Sequence, residues 1–554
     1  MHRAVCTAEL LHAANCAYRF EGGSGIAFGP VPGEINGRPY TEMTEDMIWI
    51  IVEKFARGAA FAKSCGFGMV TLHGGHGWLI SQFLSPTLNT RKDKWGGADI
   101  ENRSRLAIEI LKAIRKAVGP GYPIELRISG SECYSGGYGI EEGIKFAKQV
   151  EEHVDLLHVS AGSHEVEEVF TVTHPSMFLP DGCNVKFAAE IKKHVKCAVA
   201  TVGALSEADM MEEIIASGQA DVVEIARGLI ADPDIPRKIR TGKSGDINKC
   251  LKCLSCFSNL VANGQFHCAI NPETGREAES TLAIPPAEKK KVLIVGGGVA
   301  GLQAALTCAE QGHDVILCEK SNALGGVLRC EKDVPFKSRL HQYLTKQAEK
   351  VMSAGVDIRL NTEVTPGYAR KQDADVIIAA LGARPLKPLI EGIDGQTVLC
   401  AETAFIEPRK VGKNAVILGA GLVGVELGIY LAMLGRKVTI VEMASEINHG
   451  GNDLHVKALK VEIKKYSIDI NFNIKATAVT GNSVVCRSVE GEKRFSADTV
   501  IYAVGQLPLQ AEAAALSLAA PDFYPIGDCV SPRNIMNATS MAYYVARNIG
   551  RKMI

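Results

Sequence analysis

The chain is expected to be α/β, with an N-terminal (β/α)8-type barrel, about six strands of it visible, followed by two tandem Rossmann-like domains. Three observations predict this. From residue 8 to about 230, short β-rich segments alternate with helical ones, the pattern of a parallel sheet with crossover helices. A strand running into G-x-G-x-x-G occurs twice in the second half, at Gly296 and again 123 residues later at Gly419. Between the halves, four of the 16 cysteines fall within 19 residues.

The barrel segments are Ala8–His12, Met69–His73, Pro123–Arg127, Leu156–Ser160, Cys197–Gly203 and Asp221–Arg227. Each ends on a polar residue or a glycine. Ligands of such barrels sit at the carboxyl ends of the strands, so His73, Arg127, Gly203 and Arg227 would surround one pocket. A glycine there lets a phosphate approach backbone N–H groups, and an arginine gives it a bidentate partner.

Composition narrows the function classes. At 554 residues, three or four domains are expected. A formal net charge of -1 leaves no electrostatic footprint for nucleic acid or an anionic membrane, so neither partner is expected. No apolar run approaches the ~18 residues of a membrane span, and Glu9 interrupts any signal-peptide core. Cysteines scattered singly outside the cluster fit a reducing cytoplasm. A homo-oligomer is compatible with all of this.

In the cysteine stretch, Cys250-x-x-Cys253-x-x-Cys256 is closed by Cys268 after eleven residues. Two-residue gaps let three thiolates converge on one centre, and a fourth arrives after the excursion. Iron-sulfur and structural zinc both use such spacing. The position next to two dinucleotide fingerprints favours iron-sulfur, because zinc has no electrons to pass.

Beyond a polar linker, Glu273 to Lys291, the first fingerprint is Val292-Leu-Ile-Val-Gly296-Gly-Gly298-Val-Ala-Gly301, with Glu319 ending the next strand. Strand, glycines, helix and strand-end acid stand in the order that seats a pyrophosphate at a helix N-terminus and ribose hydroxyls on the acid. The unit recurs as Gly419, Gly421 and Gly424 with Glu442, and Asp375–Gly382 returns as Asp498–Gly505 at the same offset. Glu442 repels a 2′-phosphate and no arginine follows in Met443-Ala-Ser445, so NADH is expected over NADPH.

Two resemblances add to this. Thr44-Glu-Asp-Met-Ile and above all His73-Gly-Gly-His76-Gly-Trp78-Leu-Ile-Ser-Gln-Phe-Leu-Ser-Pro86, with Asn89, Arg91, Asp93, Gly96-Gly97 and Glu101-Asn-Arg103, resemble the Old Yellow Enzyme family of FMN barrels. With the cysteines and the second half, the chain is similar to the branch containing 2,4-dienoyl-CoA reductase, 2-enoate reductase and trimethylamine dehydrogenase, in which FMN, a 4Fe-4S cluster and FAD share one chain. The tandem fingerprints resemble the disulfide-reductase type of flavoprotein, which implies FAD on the first and a nicotinamide nucleotide on the second. Tyr524-Pro-Ile-Gly527-Asp528 resembles the motif whose aspartate holds the FAD ribityl chain.

These resemblances imply His73 and His76 as the donor pair for a substrate oxygen. They also imply Arg127 and Glu9 at the flavin pyrimidine edge, and Gly203, Ala226 and Arg227 as a phosphate grip. Two donors aimed at a carbonyl would stabilise the enolate formed when hydride adds to an activated alkene. Trp78 stands where the family usually has a proton-donating tyrosine, and an indole cannot serve as a titrating acid. His12, His153, His158 and His194 have no such context. The chain opens just before the family's third strand, so the barrel is expected to lack two strands and to hold FMN weakly.

The expected parts are an FMN barrel over 1–245, the cysteine segment and linker over 246–285, an FAD domain over 286–400 and 509–554, and an NAD(H) domain over 401–508. The implied activity is NADH-dependent reduction of an α,β-unsaturated acid, thioester or enone, electrons passing from NADH through FAD, cluster and FMN to the substrate. The alternatives are an amine dehydrogenase of the trimethylamine dehydrogenase type and a barrel remnant that serves only NADH–FAD electron transfer.

Overall fold

The structure, a computed structural model, describes residues 4–18, 26–282, 284–448 and 450–551. The chain parts into two units, one up to Gly228 and one from Leu229.

In the first unit, six parallel strands lie side by side in chain order: Thr7–Leu10, Met69–His73, Ile124–Ser129, Leu156–Ser160, Ala198–Val202 and Val222–Glu224. All six expected segments are strands. The third runs two residues further than expected, so Arg127 lies within it rather than at its end, and Arg227 opens a short helix, Arg227–Ala231. Register pairs His73 with Arg127, and Arg127 with His158.

The crossover helices follow their capping chemistry. Helix Glu45–Ser64 starts at Thr44, whose hydroxyl accepts from the Met47 N–H, with Glu45 and Asp46 in its first turn and Lys63 in its last. Ile48, Val52, Phe55, Ala59 and Ala62 recur at three- and four-residue steps, and that face is the buried one. Ile110, Leu111 and Ile114 of helix Ile100–Val118 join them in one core with Val70, Leu72, Ile124 and Leu126.

The second unit holds two five-stranded parallel sheets of the same plan. In the first, the order is Asp357–Arg359, Asp314–Cys318, Lys291–Val295, Val376–Ala379, Asp522–Pro525; in the second it is Asp469–Asn471, Lys437–Val441, Asn414–Leu418, Thr499–Tyr502, Val398–Cys400. The fifth place of the first sheet is filled from the far end of the chain, so the polypeptide leaves this sheet, builds the second and returns. The outgoing and returning connectors, Ala383–Pro385 and Gln506–Pro508, pair antiparallel with one another. Among the described residues, no helix is long and apolar enough to cross a membrane.

Candidate functional site

In the first unit, the loop after Met69–His73 is the centre of the site. His76 has a left-handed backbone (φ +62°), and its N–H donates to Ser129 Oγ at 3.2 Å. Its ring packs edge-on against His73 (centroids 5.1 Å apart), and its Nε2 lies 2.8 Å from Ser160 Oγ. Burial, aided by the Arg127 charge, holds both histidines well below the usual imidazole pKa, so they are neutral at pH 7. Trp78 caps the short helix Leu79–Leu84, its ring 6.1 Å from that of His73.

Glu9 faces both His73 Nδ1 and an Arg127 terminal nitrogen at 3.9 Å. Gly203 has φ +137°, and a Cβ there would meet the Asn184 side chain at 3.0 Å. Arg227 Nη2 donates to the Pro175 carbonyl at 2.8 Å, and Ala226 precedes the short helix that Arg227 begins. Three buried nitrogens here have no hydrogen-bond partner within the protein: His73 Nδ1, Arg127 Nε and Arg227 Nη1. Buried donors are normally satisfied, so three together on predicted site residues fit a bound oxygen-rich ligand such as a flavin mononucleotide and an oxygen-bearing substrate.

Two groupings were not legible in the sequence. The loop after Leu156–Ser160 brings His164 beside Trp78 (6.0 Å between centroids) and His76 (5.8 Å). His164 stacks on His174, their Nε2 atoms 2.9 Å apart. Burial, then the neighbouring His164, lowers the His174 pKa well below the usual value. The second grouping is Glu125, His158 and Glu224, whose ligand atoms lie within 4.8 Å of one another. His158 Nδ1 is 2.8 Å from Glu224 and 3.2 Å from Glu125. Burial raises both carboxyls, but hydrogen bonds led by that from His158 outweigh it at Glu125 and hold it at about 2, while Glu224 stays raised. The pair therefore carries one ionised and one protonatable carboxyl.

In the second unit, Cys250, Cys253 and Cys268 pack against Leu340, Tyr343 and Leu344, and Arg339 donates to the Cys250 carbonyl at 2.8 Å. Lys252 and Leu254, which flank Cys253, both have left-handed backbones (φ +56° and +62°), and the Lys252 N–H points at Cys250 Sγ at 3.4 Å. Burial, then the charges of Cys250, Cys253 and Cys256, pushes the Cys268 thiol up, so the four sulfurs share one neighbourhood. Among the described residues, no three of these sulfurs lie within 4.8 Å of one another. A tetrahedral zinc with bonds of about 2.3 Å needs sulfurs roughly 3.8 Å apart. The all-cysteine donor set suits an iron-sulfur cluster or a structural zinc.

The two fingerprints have the same geometry. A Cβ on Gly301 would fall 1.9 Å from the Gly296 carbonyl oxygen, and one on Gly424 would fall 2.1 Å from that of Gly419. Glu319 accepts from the N–H groups of Gly297 (2.7 Å) and Ser321 (2.8 Å); Glu442 accepts from Ala420 (2.6 Å) and Ala444 (2.8 Å). Each acid fixes its own turn and keeps lone pairs for a ribose. Gly298 and Gly421 precede the helices Val299–Glu310 and Leu422–Met433, whose N-termini suit a pyrophosphate. Gly527 brings Asp528 to this end of the first sheet, a Cβ on Gly527 lying 3.1 Å from Ala300. The sequence reading missed Gly325-Gly326, both with positive φ. Gly326 approaches Gly298 so closely that a Cβ would lie 2.8 Å from its Cα. A paired glycine shortly after the strand-end acid was the available signal.

The model of the NADH:flavin oxidoreductase / NADH oxidase family matches residues 12–246, and that of the pyridine nucleotide-disulphide oxidoreductases matches residues 290–542. An NADH oxidase of Thermoanaerobacter brockii is 37% identical over 538 residues, covering 96% of this chain and 82% of the relative. A cinnamate reductase of Clostridium sporogenes is 34% identical, covering 92% and 78%. Among solved structures, a 2-naphthoyl-CoA reductase in complex with 2-naphthoyl-CoA superposes with a TM-score of 0.91 at 30% identity, covering 99% of this chain and 86% of the other.

Proposed function

The chain belongs to the NADH:flavin oxidoreductase / NADH oxidase family, and from that premise we propose that it reduces the activated C=C bond of a 2-enoate, an enoyl or dienoyl thioester, or an enone. Bound FMN, FAD and a 4Fe-4S cluster would supply the chemistry that interconverts the hydride of NADH, single electrons and the hydride given to substrate, in the proposed order NADH, FAD, cluster, FMN. Glu9, Arg127, Gly203, Ala226 and Arg227 would hold FMN. Gly296, Gly298, Gly301, Glu319, Gly527 and Asp528 would hold FAD. Gly419, Gly421, Gly424 and Glu442 would hold NADH, and Cys250, Cys253, Cys256 and Cys268 the cluster.

The observation that carries the reading is the set of unpartnered buried donors at His73, Arg127 and Arg227. Arg127 and Arg227 are the donors assigned to FMN, which leaves His73, packed against His76, to recruit a carbonyl or carboxylate oxygen of the substrate. Hydride addition to the β-carbon builds charge on the carbonyl oxygen. Neutral His73 and His76 can donate to that oxygen without losing a proton. If Ser160 donates to His76 Nε2, the ring proton stays on Nδ1 for the substrate.

The α-carbon needs a proton, and Trp78 has none to give. The His164–His174 pair stands beside it: a protonated His164, hydrogen-bonded to a neutral His174, would lose one proton to the carbon and be reloaded from solvent. Anaerobic NADH oxidation against crotonyl-, dienoyl- and cinnamoyl-type compounds tests the proposal. NADH consumption should equal alkene lost. His164→Gln should lower the rate by about 10²- to 10⁴-fold, the range for a general acid, and Trp78→Phe should cost little. Reduction of none of these classes by a protein that still passes electrons from NADH to a dye would refute the reading.

A further inference from the structure

In the second fingerprint domain Asn448 is tied to the nucleotide turn, and Asn452 and Leu454, a few residues on, are tied to the cysteine segment. The Asn448 N–H donates to the Ala420 carbonyl at 3.1 Å, and Asn448 forms a parallel bridge with Gly421. Four residues on, Asn452 Nδ2 donates to the Cys253 carbonyl at 2.9 Å and lies 3.3 Å from Ser255 Oγ. The Leu454 N–H donates to Ser258 Oγ at 3.1 Å. His455 then pairs with Glu426, on the helix that the turn begins, at 2.8 Å. Glu426 in turn binds Lys337 at 2.5 Å, and Lys337 binds Glu331 at 2.6 Å, with both carboxylates buried and Lys337 half-buried.

Cys253 lies between two residues in left-handed backbone, a strained conformation for an L-residue. A loop bent in this way holds its shape only when its surroundings over-determine it. Asn452 makes two of the outside contacts that do so. A pyrophosphate bound across Gly419 to Gly421 would order the turn on which Asn448 rests, only four residues from Asn452.

We propose that Asn452 is a positioning residue for the cysteine segment, set in place by the nucleotide turn, so that binding of a nicotinamide nucleotide tightens the hold of this segment on its metal. The inference rests on the reading of Gly419–Gly424 as the nucleotide site and of the four cysteines as metal ligands. It goes beyond them in linking the two sites through one loop.

The test is iron release from the anaerobically purified holoprotein to a ferrous chelator, with and without saturating NAD⁺, alongside equilibrium dialysis of NAD⁺. In the parent protein NAD⁺ should slow release by roughly fivefold or more, the lower end of usual site-to-site coupling. Asn452→Asp keeps the side chain's shape but removes both N–H donors, so it should bind NAD⁺ and lose the protection. Asn452→Ala should behave in the same way. Equal protection in the parent and Asn452→Asp, or none in a parent that binds NAD⁺, would overturn the inference alone. Failure of the parent to bind NAD⁺ would overturn the nucleotide reading and the inference with it.

Discussion

Replacing Gly424 by alanine separates the two dinucleotide sites. The new Cβ would lie 2.1 Å from the Gly419 carbonyl oxygen and 3.4 Å from the Ala503 Cβ, and the first contact is with backbone, which cannot rotate away. Helix Leu422–Met433 and the turn must therefore part by about 1 Å, an overpacking change that costs roughly 1–3 kcal/mol. On the proposed assignment a nucleotide pyrophosphate would lie where they part, so that cost would fall on binding, and NADH affinity should weaken roughly 5- to 150-fold. FAD content per chain should stay at the parent level, and alkene reduction driven by dithionite should be unchanged. Gly301→Ala is the matched change in the other fingerprint, with its Cβ 1.9 Å from the Gly296 carbonyl oxygen. It should cost FAD instead. Stopped-flow NADH titration and flavin extraction on both variants measure this. FAD loss in Gly424→Ala with unchanged NADH affinity, or parent-level FAD in Gly301→Ala, would refute the assignment of the two turns.

Cys253→Ser should abolish NADH-driven alkene reduction and leave NADH-driven dye reduction largely intact; parallel loss of both in a folded protein would contradict a relay through the cysteine segment. A pH series probes the buried imidazoles. His73, His76 and His174 are held well below 6.5, chiefly by burial, so below that pH the unfolded chain binds more protons than the folded one. Stability of the first unit should then rise with pH up to about 6.5 and be lost as pH falls below it. Each histidine contributes up to about 1.4 kcal/mol per pH unit. All three tryptophans (Trp49, Trp78 and Trp95) lie in the first unit, so urea unfolding followed by tryptophan fluorescence reports on it. His76→Gln should make the slope shallower by one histidine's share, and an unchanged slope would show that His76 is not held neutral.

The features the sequence determined by itself are those whose physics is local. Alternation of apolar runs located all six strands of the first unit; in the four inner strands, burial on both faces imprints an apolar composition within five or six residues. The fingerprint glycines were legible because one carbonyl excludes a Cβ five residues on, at Gly301 and again at Gly424. The 123-residue repeat foretold two sheets of one plan, and the resemblance of Tyr524-Pro-Ile-Gly527-Asp528 to a flavoprotein motif foretold that Asp522–Pro525 returns to the first.

Only the tertiary structure decided which side chains meet across strands and loops. Glu125, His158 and Glu224 come from three strands spread over a hundred residues, and no spacing rule joins them until register is set. His164 and His174 become a pair only because their loop folds back over His76, where the His164 N–H donates to the His76 carbonyl. Asn452 reaches Cys253 across 199 residues of sequence. Such contacts depend on the path of the whole chain, since a side chain's neighbours are fixed by packing and closure rather than by the residues beside it in the sequence.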